Sequence, residues 1–176
     1  MEVNSIALIG YRGSGKTAVA QQLAEQLGWE WIDADVEIER RAGKTIAAIF
    51  ADDGETPFRD LEAIVVDLLC LRNQTAIALG GGAILREVNR KAIRRCRTIA
   101  WLQATVETLQ QRIAADPSTS ARRPNLTVAG GRGEIERLLA ERTPSYRECA
   151  TLEVDTEGKT PAEIAAEIAA AHRAGR

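Results

Sequence analysis

The sequence predicts an α/β fold in which helices cover both faces of a parallel β-sheet. Short apolar runs, of the kind that form buried strands, alternate along the chain with segments whose apolar residues recur at helical spacing. Three of these runs end at Gly10, Asp33 and Gly80, residue types that stop a strand and begin a turn. Strands that alternate with helices are joined by crossovers, which place the strands parallel and the helices on both sides.

The predicted elements follow one another in a regular order. Strands are expected at residues 5–9, 29–32, 75–79, 97–102 and 151–154. Helices are expected at residues 16–27, 36–41, 45–51, 57–71, 106–114, 135–141 and 161–171. Residues 116–133 are rich in Pro, Ser, Asn, Arg and Gly and have no apolar period, so they are predicted to form a long loop that is either functional or disordered.

Length and composition favour one globular domain spanning residues 1–176, with hydrophobic residues at 45% and charged residues at 27%. The net charge of −2 gives no reason to expect nucleic acid or an anionic membrane as a partner. No apolar run approaches the ~20 residues that span a bilayer, and no signal-peptide pattern is visible. Cys70, Cys96 and Cys149 are far apart in sequence, which favours reduced thiols and a cytoplasmic location.

Residues 10–17 read GYRGSGKT and match the phosphate-loop pattern G-x-x-x-x-G-K-[ST]. The glycines allow backbone angles that let successive amide N–H groups surround phosphate oxygens, and the following helix presents its N-terminus to the same anion. Lys16 supplies a positive charge for the β- and γ-phosphates, and the Thr17 hydroxyl is an oxygen ligand suited to Mg²⁺. A chance glycine-rich turn is disfavoured because the motif follows an apolar strand and opens an amphipathic helix. The motif therefore predicts ATP and Mg²⁺ as ligands.

Two aspartates follow the second predicted strand. Asp33 and Asp35 lie where ligands of open parallel sheets bind, beyond the carboxyl ends of the strands. Asp33 could hold Mg²⁺ directly or through water, and Asp35 could position a substrate hydroxyl or accept its proton. The alternative is that one of them only caps the helix that begins near residue 36.

Two further features carry candidate residues. Arg59 and Glu62 are three apart and share a helix face, so Glu62 could hold the Arg59 guanidinium ready for a carboxylate; from this segment alone an exposed ion pair is the default. Gly80, Gly81 and Gly82 follow the third strand and suit a close backbone approach to a ligand, although a plain tight turn stays open.

Several polar residues near the second half of the chain remain ambiguous by themselves. Arg122 and Arg123 in the long loop could close over ATP, or could belong to a solvated basic loop. Arg142 precedes Pro144 and by default ends a helix. His172, near the end of the chain, is expected on the surface.

Taken in order, the motifs GYRGSGKT, DAD, FRDLE, GGG, RRP and ERTPSYRE resemble the shikimate kinase family over residues 10–148. The resemblance implies a three-layer α/β/α fold with a five-stranded parallel sheet, similar to that of nucleoside monophosphate kinases. It implies a substrate-binding subdomain at about residues 34–61 and a mobile lid at about residues 115–127. It also implies ATP-dependent phosphorylation of the shikimate 3-hydroxyl, a step of the chorismate and aromatic amino acid pathway. We expect a monomer whose partner is this small molecule.

The resemblance also implies a role for each matching residue. The residues expected to bind the nucleotide are Gly13, Ser14, Gly15, Lys16, Thr17, Ala18, Arg112 and Arg123, with Thr17 and Asp33 at the metal. The residues expected to bind shikimate are Asp35, Arg59, Gly80, Gly81, Gly82 and Arg142, with Glu62 holding Arg59. Lys16, Asp35 and Arg123 are the expected catalytic residues, and Arg122 competes with Arg123 for the role of lid arginine.

Two other functions compete with this interpretation. A gluconate kinase would use the same phosphate loop, but a polyol without a rigid carboxylic ring has less use for a clasp made of Arg59 and Arg142. A nucleotide-dependent switch would use the phosphate loop without an acceptor. Such proteins normally carry a guanine-reading N/T-K-x-D motif, which this sequence lacks.

Overall fold

A computed structural model describes residues 3–116 and 131–175 of the chain. Its five strands are β1 (Val3–Ile9), β2 (Glu30–Asp33), β3 (Thr75–Ala78), β4 (Cys96–Gln103) and β5 (Leu152–Asp155). The described residues also form eight α-helices and one 3₁₀ turn at Ala83–Leu85. These helices are α1 (Lys16–Leu27), α2 (Ala34–Ala42), α3 (Ile46–Asp52), α4 (Glu55–Leu69), α5 (Glu87–Ile93), α6 (Val106–Ala115), α7 (Gly131–Cys149) and α8 (Pro161–Arg173).

The strands form one parallel sheet in the order β2-β3-β1-β4-β5. The chain moves from the centre at β1 to one edge, returns to β3, and then crosses to β4 and β5. The order therefore reverses at β1, and the carboxyl ends of β1, β2 and β3 meet at one side of the sheet. Ligands of open α/β sheets bind at such a reversal, which is where the phosphate loop follows β1.

Apolar residues pack against both faces of the sheet. On one face Ile6 and Leu8 of β1 pack against α1 and α8, in a cluster that includes Leu23 and Ile168. On the other face Ile9 and neighbouring strand residues pack against α2, α3, α4, α5 and the C-terminal part of α7. Alternate residues of β1 thus face opposite layers, as the pleat of a strand requires. The predicted three-layer fold with a five-stranded parallel sheet is confirmed.

Two element predictions need correction. The helix expected at residues 135–141 extends over Gly131–Cys149 and continues through Pro144. Pro144 has no N–H to donate to the Ala140 carbonyl, and the Thr143 hydroxyl bonds to a different carbonyl, that of Leu139, at 2.7 Å. Residues 131–133 are consequently helical, although they were included in the predicted loop. The short helix α5 was not predicted.

The prediction that His172 lies on the surface is wrong. Its side chain is in the interior, with the residue 4% exposed. Its Nδ1 lies 2.7 Å from the Thr98 hydroxyl and its Nε2 lies 3.0 Å from Asn4 Oδ1, while Trp29 makes an edge-on ring contact. Polar partners on both ring nitrogens allow the imidazole to be buried at the C-terminal end of α8.

Candidate active site

The phosphate loop connects β1 to α1 and depends on glycine for two different reasons. Gly10, Gly13 and Gly15 all have positive φ, a backbone region that residues with a Cβ rarely adopt. A Cβ on Gly10 would also lie 2.6 Å from the Leu102 carbonyl oxygen, and one on Gly13 would lie 2.8 Å from Ile113. The loop is therefore fixed by both conformation and space, which supports the interpretation of residues 10–17 as more than a chance turn.

Lys16 is the first residue of α1 and its side chain turns back over the loop. Its ammonium donates hydrogen bonds to the carbonyl oxygens of Gly10 and Tyr11, at 2.9 and 2.8 Å, and approaches the Ser14 hydroxyl at 3.4 Å. These contacts hold the positive charge at the mouth of the loop, near the N-terminus of α1. The Lys16 cation and the helix N-terminus each attract a phosphate, and here they lie at the same place.

Thr17 and Asp33 are in direct contact. The Thr17 hydroxyl donates to Asp33 Oδ2 at 2.6 Å, while Oδ1 of the same carboxylate accepts from the backbone N–H of Asp35 at the start of α2. The alternative stated above, that an aspartate caps this helix, is thus true of Asp33, but the cap uses only one of its two oxygens. A hydroxyl and a carboxylate oxygen suit Mg²⁺, which takes one or two protein ligands and completes its shell with water and phosphate.

One cavity of about 490 Å³ brings most of the predicted residues together. It lies beyond the carboxyl ends of β1, β2 and β3, between the phosphate loop, α2 and the turn that follows β3. The predicted residues that line it are Gly13, Gly15, Lys16, Thr17, Ala18, Asp33, Asp35, Gly80, Gly81, Arg112 and Arg142. Tyr11, Arg12, Gln21, Ala78, Leu79 and Asp116 complete its described walls. The residues predicted to bind the nucleotide and most of those predicted to bind the acceptor therefore line one cavity.

The glycine triplet forms the turn between β3 and the 3₁₀ turn, and none of its three residues takes a positive φ. The reason for glycine here is space. A Cβ on Gly82 would lie 2.7 Å from an Arg59 guanidinium nitrogen, and one on Gly81 would lie 3.2 Å from the Arg12 amide nitrogen. The triplet is thus a tight turn against which the Arg59 guanidinium and the phosphate-loop backbone both pack.

Arg59 is buried, which contradicts the default of an exposed ion pair. The residue is 6% exposed, and one of its terminal nitrogens donates to Glu62 Oε2 at 2.7 Å. Its Nε donates to Glu55 at 3.2 Å, and the guanidinium lies 5.1 Å from the Phe58 ring centre. Because these contacts come from two successive turns of α4, the fork is fixed in orientation beside Gly82.

Arg142 is also buried, in the middle of α7 and not at a helix end as its sequence context suggested. Its NH1 donates to the Gly81 carbonyl at 3.3 Å, and its guanidinium lies 5.7 Å from the Tyr11 ring centre. Within residues 3–116 and 131–175, no carboxylate pairs with it and its Nε, also buried, donates no hydrogen bond. A buried cation without an acidic partner is costly, so this geometry suits an anion arriving from the cavity.

Tyr11 and Arg112 form further parts of the walls. Burial raises the pKa of the Tyr11 phenol, and the charges of Arg12 and Arg142 offset this only in part, so the ring stays neutral at physiological pH. Arg112 on α6 donates to the Thr156 hydroxyl at 3.1 Å and to the Thr156 carbonyl at 3.3 Å. These bonds hold its guanidinium at the cavity edge beside the loop after β5.

A family model described as shikimate kinase matches residues 12–173 of this chain. That match covers most of the sheet, both helical layers and the cavity.

The chain belongs to the shikimate kinase family.

Individual relatives agree with this family assignment. A shikimate kinase of Rhodopirellula baltica is 42% identical over 161 residues, which cover 92% of this chain and 86% of the relative. A shikimate kinase of Moorella thermoacetica is 41% identical over 170 residues, which cover 97% and 95%. Among solved structures, the shikimate kinase of Acinetobacter baumannii in complex with shikimate superposes with a TM-score of 0.90 at 35% identity, covering 99% of this chain and 95% of that one. Membership makes the chain a phosphotransferase and removes the gluconate kinase and the nucleotide switch as alternatives.

Some predicted residues lie elsewhere, and some residues of the site were not predicted. Arg122 and Arg123 fall outside the described residues. Ser14, Arg59 and Gly82 are not among the residues that line the cavity. Ser14 contacts Lys16, which does line it, and Arg59 packs against Gly82, the neighbour of the lining residue Gly81. Sequence reasoning did not single out Tyr146, whose hydroxyl donates to the Gly81 carbonyl at 2.6 Å, or Glu134, which pairs with Arg12 at 2.9 Å. Tyr146 stands in the motif ERTPSYRE and was accessible through it, whereas nothing in the local sequence marks Glu134.

Proposed function

We propose that this protein transfers the γ-phosphoryl group of ATP to the 3-hydroxyl of shikimate, giving ADP and shikimate 3-phosphate. The observation that carries the proposal is the pair of buried guanidinium groups, Arg59 and Arg142, at one glycine turn beside a phosphate loop. A ring acid with a hydroxyl to be phosphorylated needs such an arrangement, in which the carboxylate is fixed at one end and the hydroxyl faces the nucleotide.

On the acceptor side, Arg59 and Arg142 bind the carboxylate of shikimate and Gly80 to Gly82 support the ring. Asp35, at the start of α2 in the cavity wall, faces the hydroxyls. Family resemblance assigns these roles. In support, Asp35, Gly80, Gly81 and Arg142 line one cavity, and Arg59 packs against the adjacent Gly82. The helices α2 and α3, with the first half of α4, form the substrate-binding subdomain at about residues 34–61.

On the nucleotide side, the amides of residues 13–18 bind the phosphates and Arg112 lies beside the adenine. Thr17 and Asp33 would hold Mg²⁺, which would neutralise negative charge that develops on the phosphates. Arg123 is the proposed lid arginine, in a lid at about residues 115–127. Its role rests on the sequence motif alone.

The reaction requires positioning more than strong base chemistry. The 3-hydroxyl oxygen bonds to the γ-phosphorus while the bond from that phosphorus to the β–γ bridging oxygen breaks, in line. In a loose transition state the charge lies mostly on the transferring phosphoryl oxygens, so the Lys16 ammonium is placed to stabilise it. Asp35 orients the hydroxyl and is the nearest proposed acceptor for its proton, which leaves as the new ester bond forms.

We further propose that the protein acts as a monomer in the cytoplasm. The three cysteines are all free thiols in the structure, which suits a reducing compartment. No helix among the described residues has the length and apolar character needed to cross a bilayer. Size-exclusion chromatography with light scattering tests the oligomeric state, and a dimer at micromolar concentration would contradict the proposal.

A coupled assay of ADP release tests the activity. With ATP and Mg²⁺ present, ADP should be released only when shikimate is added, and phosphorus NMR should detect a new phosphate monoester. Excess chelator should stop the reaction, because Thr17 and Asp33 hold a metal in the proposed site. Gluconate, an acid without a ring, is the matched acceptor control. ADP release that does not depend on shikimate, or that is equal with gluconate, would contradict the assignment.

A further inference from the structure

We propose that Arg12 and Glu134 are positioning residues for the acceptor, although Arg12 belongs to the nucleotide-binding loop. The inference rests on the proposed function, because its effect is on the binding of shikimate. Neither residue was expected to have a role: Arg12 occupies a variable position of the phosphate-loop pattern, and Glu134 lies in no motif.

The first observation is a buried ion pair between the loop and α7. Arg12 NH2 lies 2.9 Å from Glu134 Oε1, with the two side chains 13% and 0% exposed. Most ion pairs of this protein are more exposed, including those on the outer face of α7, such as Arg137 with Glu141 at 51% and 54%. An exposed pair contributes little, whereas removal of one partner from a buried pair leaves an uncompensated charge in the interior.

The second observation is that one face of α7 contacts both the phosphate loop and the glycine turn beside Arg142. Its buried face includes Glu134, Leu138, Arg142 and Tyr146, spaced four residues apart. Glu134 binds the phosphate loop, while Arg142 and Tyr146 donate to the carbonyl of Gly81 at 3.3 and 2.6 Å. The rise of 1.5 Å per residue separates Glu134 from Arg142 by roughly 12 Å along a rigid helix.

The third observation is that the backbone of the phosphate loop also contacts the glycine turn, so the contacts form a closed circuit, called here the contact ring. The backbone of Arg12 packs against Gly81, since a Cβ on that glycine would lie 3.2 Å from the Arg12 amide nitrogen. Contacts therefore run from Arg12 to Gly81, from Gly81 to Arg142, along α7 to Glu134, and back to the Arg12 side chain. The ion pair is the step of this ring that fixes the N-terminal half of α7 against the loop.

The ring explains how a residue of the nucleotide loop can act on the acceptor. Without the ion pair, α7 keeps its apolar packing with Tyr11 through Ile135 and Leu138 and the hydrogen bonds of Arg142 and Tyr146 to Gly81. It loses the directional polar contact between Glu134 and Arg12, so the position of the Arg142 guanidinium relative to the phosphate loop is less firmly fixed. A displacement of the order of 1 Å in a substrate-binding group can lower kcat/KM by about a hundredfold. The amides of residues 13–18 are not part of the ring, so ATP binding should change much less.

The experiment compares Arg12→Met, Glu134→Gln and the double variant with the wild type. For Arg12→Met we expect kcat/KM for shikimate to fall roughly tenfold to a hundredfold, mainly through KM, with KM for ATP changing by less than about threefold. Glu134→Gln should also lower kcat/KM for shikimate. The double variant should recover several-fold relative to Arg12→Met, because it no longer buries the carboxylate charge that Arg12 offsets.

Glu136→Gln is the matched control, since Glu136 pairs with Arg132 on the exposed face of the same helix. It should leave both KM values unchanged. If Arg12 instead contacts shikimate directly, Glu134→Gln will have no effect and the double variant will equal Arg12→Met, which overturns the proposal. Equal changes in both KM values, or a lower melting temperature with unchanged KM values, also overturn it. A wild type that does not phosphorylate shikimate would instead refute the proposed function.

Discussion

Replacing Lys16 by methionine should lower kcat by about a thousandfold or more while the fold persists. The ammonium is the side-chain cation that the structure holds at the mouth of the phosphate loop, on the carbonyls of Gly10 and Tyr11. In a transition state with most of its charge on the transferring phosphoryl oxygens, the loss of this cation removes stabilisation that the loop amides cannot replace. Methionine keeps a similar length and apolar stem, so packing at the start of α1 is preserved. Steady-state kinetics with saturating ATP and shikimate measure the effect.

The control for this prediction is Lys91→Met, which removes an exposed lysine that pairs with Glu87 on α5. It should leave kcat unchanged, and both variants should melt within a few degrees of the wild type. Turnover retained by Lys16→Met would remove the phosphate-loop lysine from the mechanism. A cooperative melting transition in the same sample is needed to distinguish a loss of chemistry from a loss of fold.

The parts of the site that the sequence predicts are those built from consecutive residues. The conformation of the phosphate loop can be read from residues 10–17 alone. The glycines that take positive φ, Gly13 and Gly15, and the N-terminus of α1 all lie within the motif. Asp33 is similar: a strand end followed by a helix start places its carboxylate at the sheet edge, where it caps α2 and also meets Thr17.

The parts that could not be predicted depend on burial by distant segments. Arg59 and Glu62 have the spacing of a surface ion pair, and only the packing of the Gly81–Gly82 turn against Arg59 makes the pair an interior one. His172 was expected on the surface because it stands near the end of the chain. Its partners Thr98 and Asn4 belong to strands far away in sequence. The residues next to His172 in sequence do not indicate such distant partners. For Arg59, the role in binding the substrate came from the family resemblance and not from physical reasoning on its own segment.

Replacing Arg59 by alanine should raise the dissociation constant for shikimate by about a hundredfold and change that for ATP by less than about threefold. Truncation of one partner of a desolvated, hydrogen-bonded charge pair typically costs ~2–5 kcal/mol, and 1.4 kcal/mol corresponds to a factor of ten. Arg59 lies beside Gly82 and outside the nucleotide loop, so its loss should act on the carboxylate end of the acceptor. Calorimetric titration with each ligand in turn measures the two affinities separately.

Arg59→Ala by itself also leaves Glu62 buried and charged, with a side chain 1% exposed, and this could unfold the subdomain. The double variant Arg59→Ala with Glu62→Gln removes that charge and should melt at a higher temperature than Arg59→Ala while keeping the weak binding of shikimate. Arg72→Ala, which removes an exposed arginine paired with Glu30, is the matched control and should bind both ligands normally. Equal losses for ATP and shikimate in the double variant would show that Arg59 supports the fold and is not part of a carboxylate clasp. Gly82→Ala gives an independent answer: its added Cβ must displace the guanidinium, so shikimate binding should weaken although both charges of the pair remain.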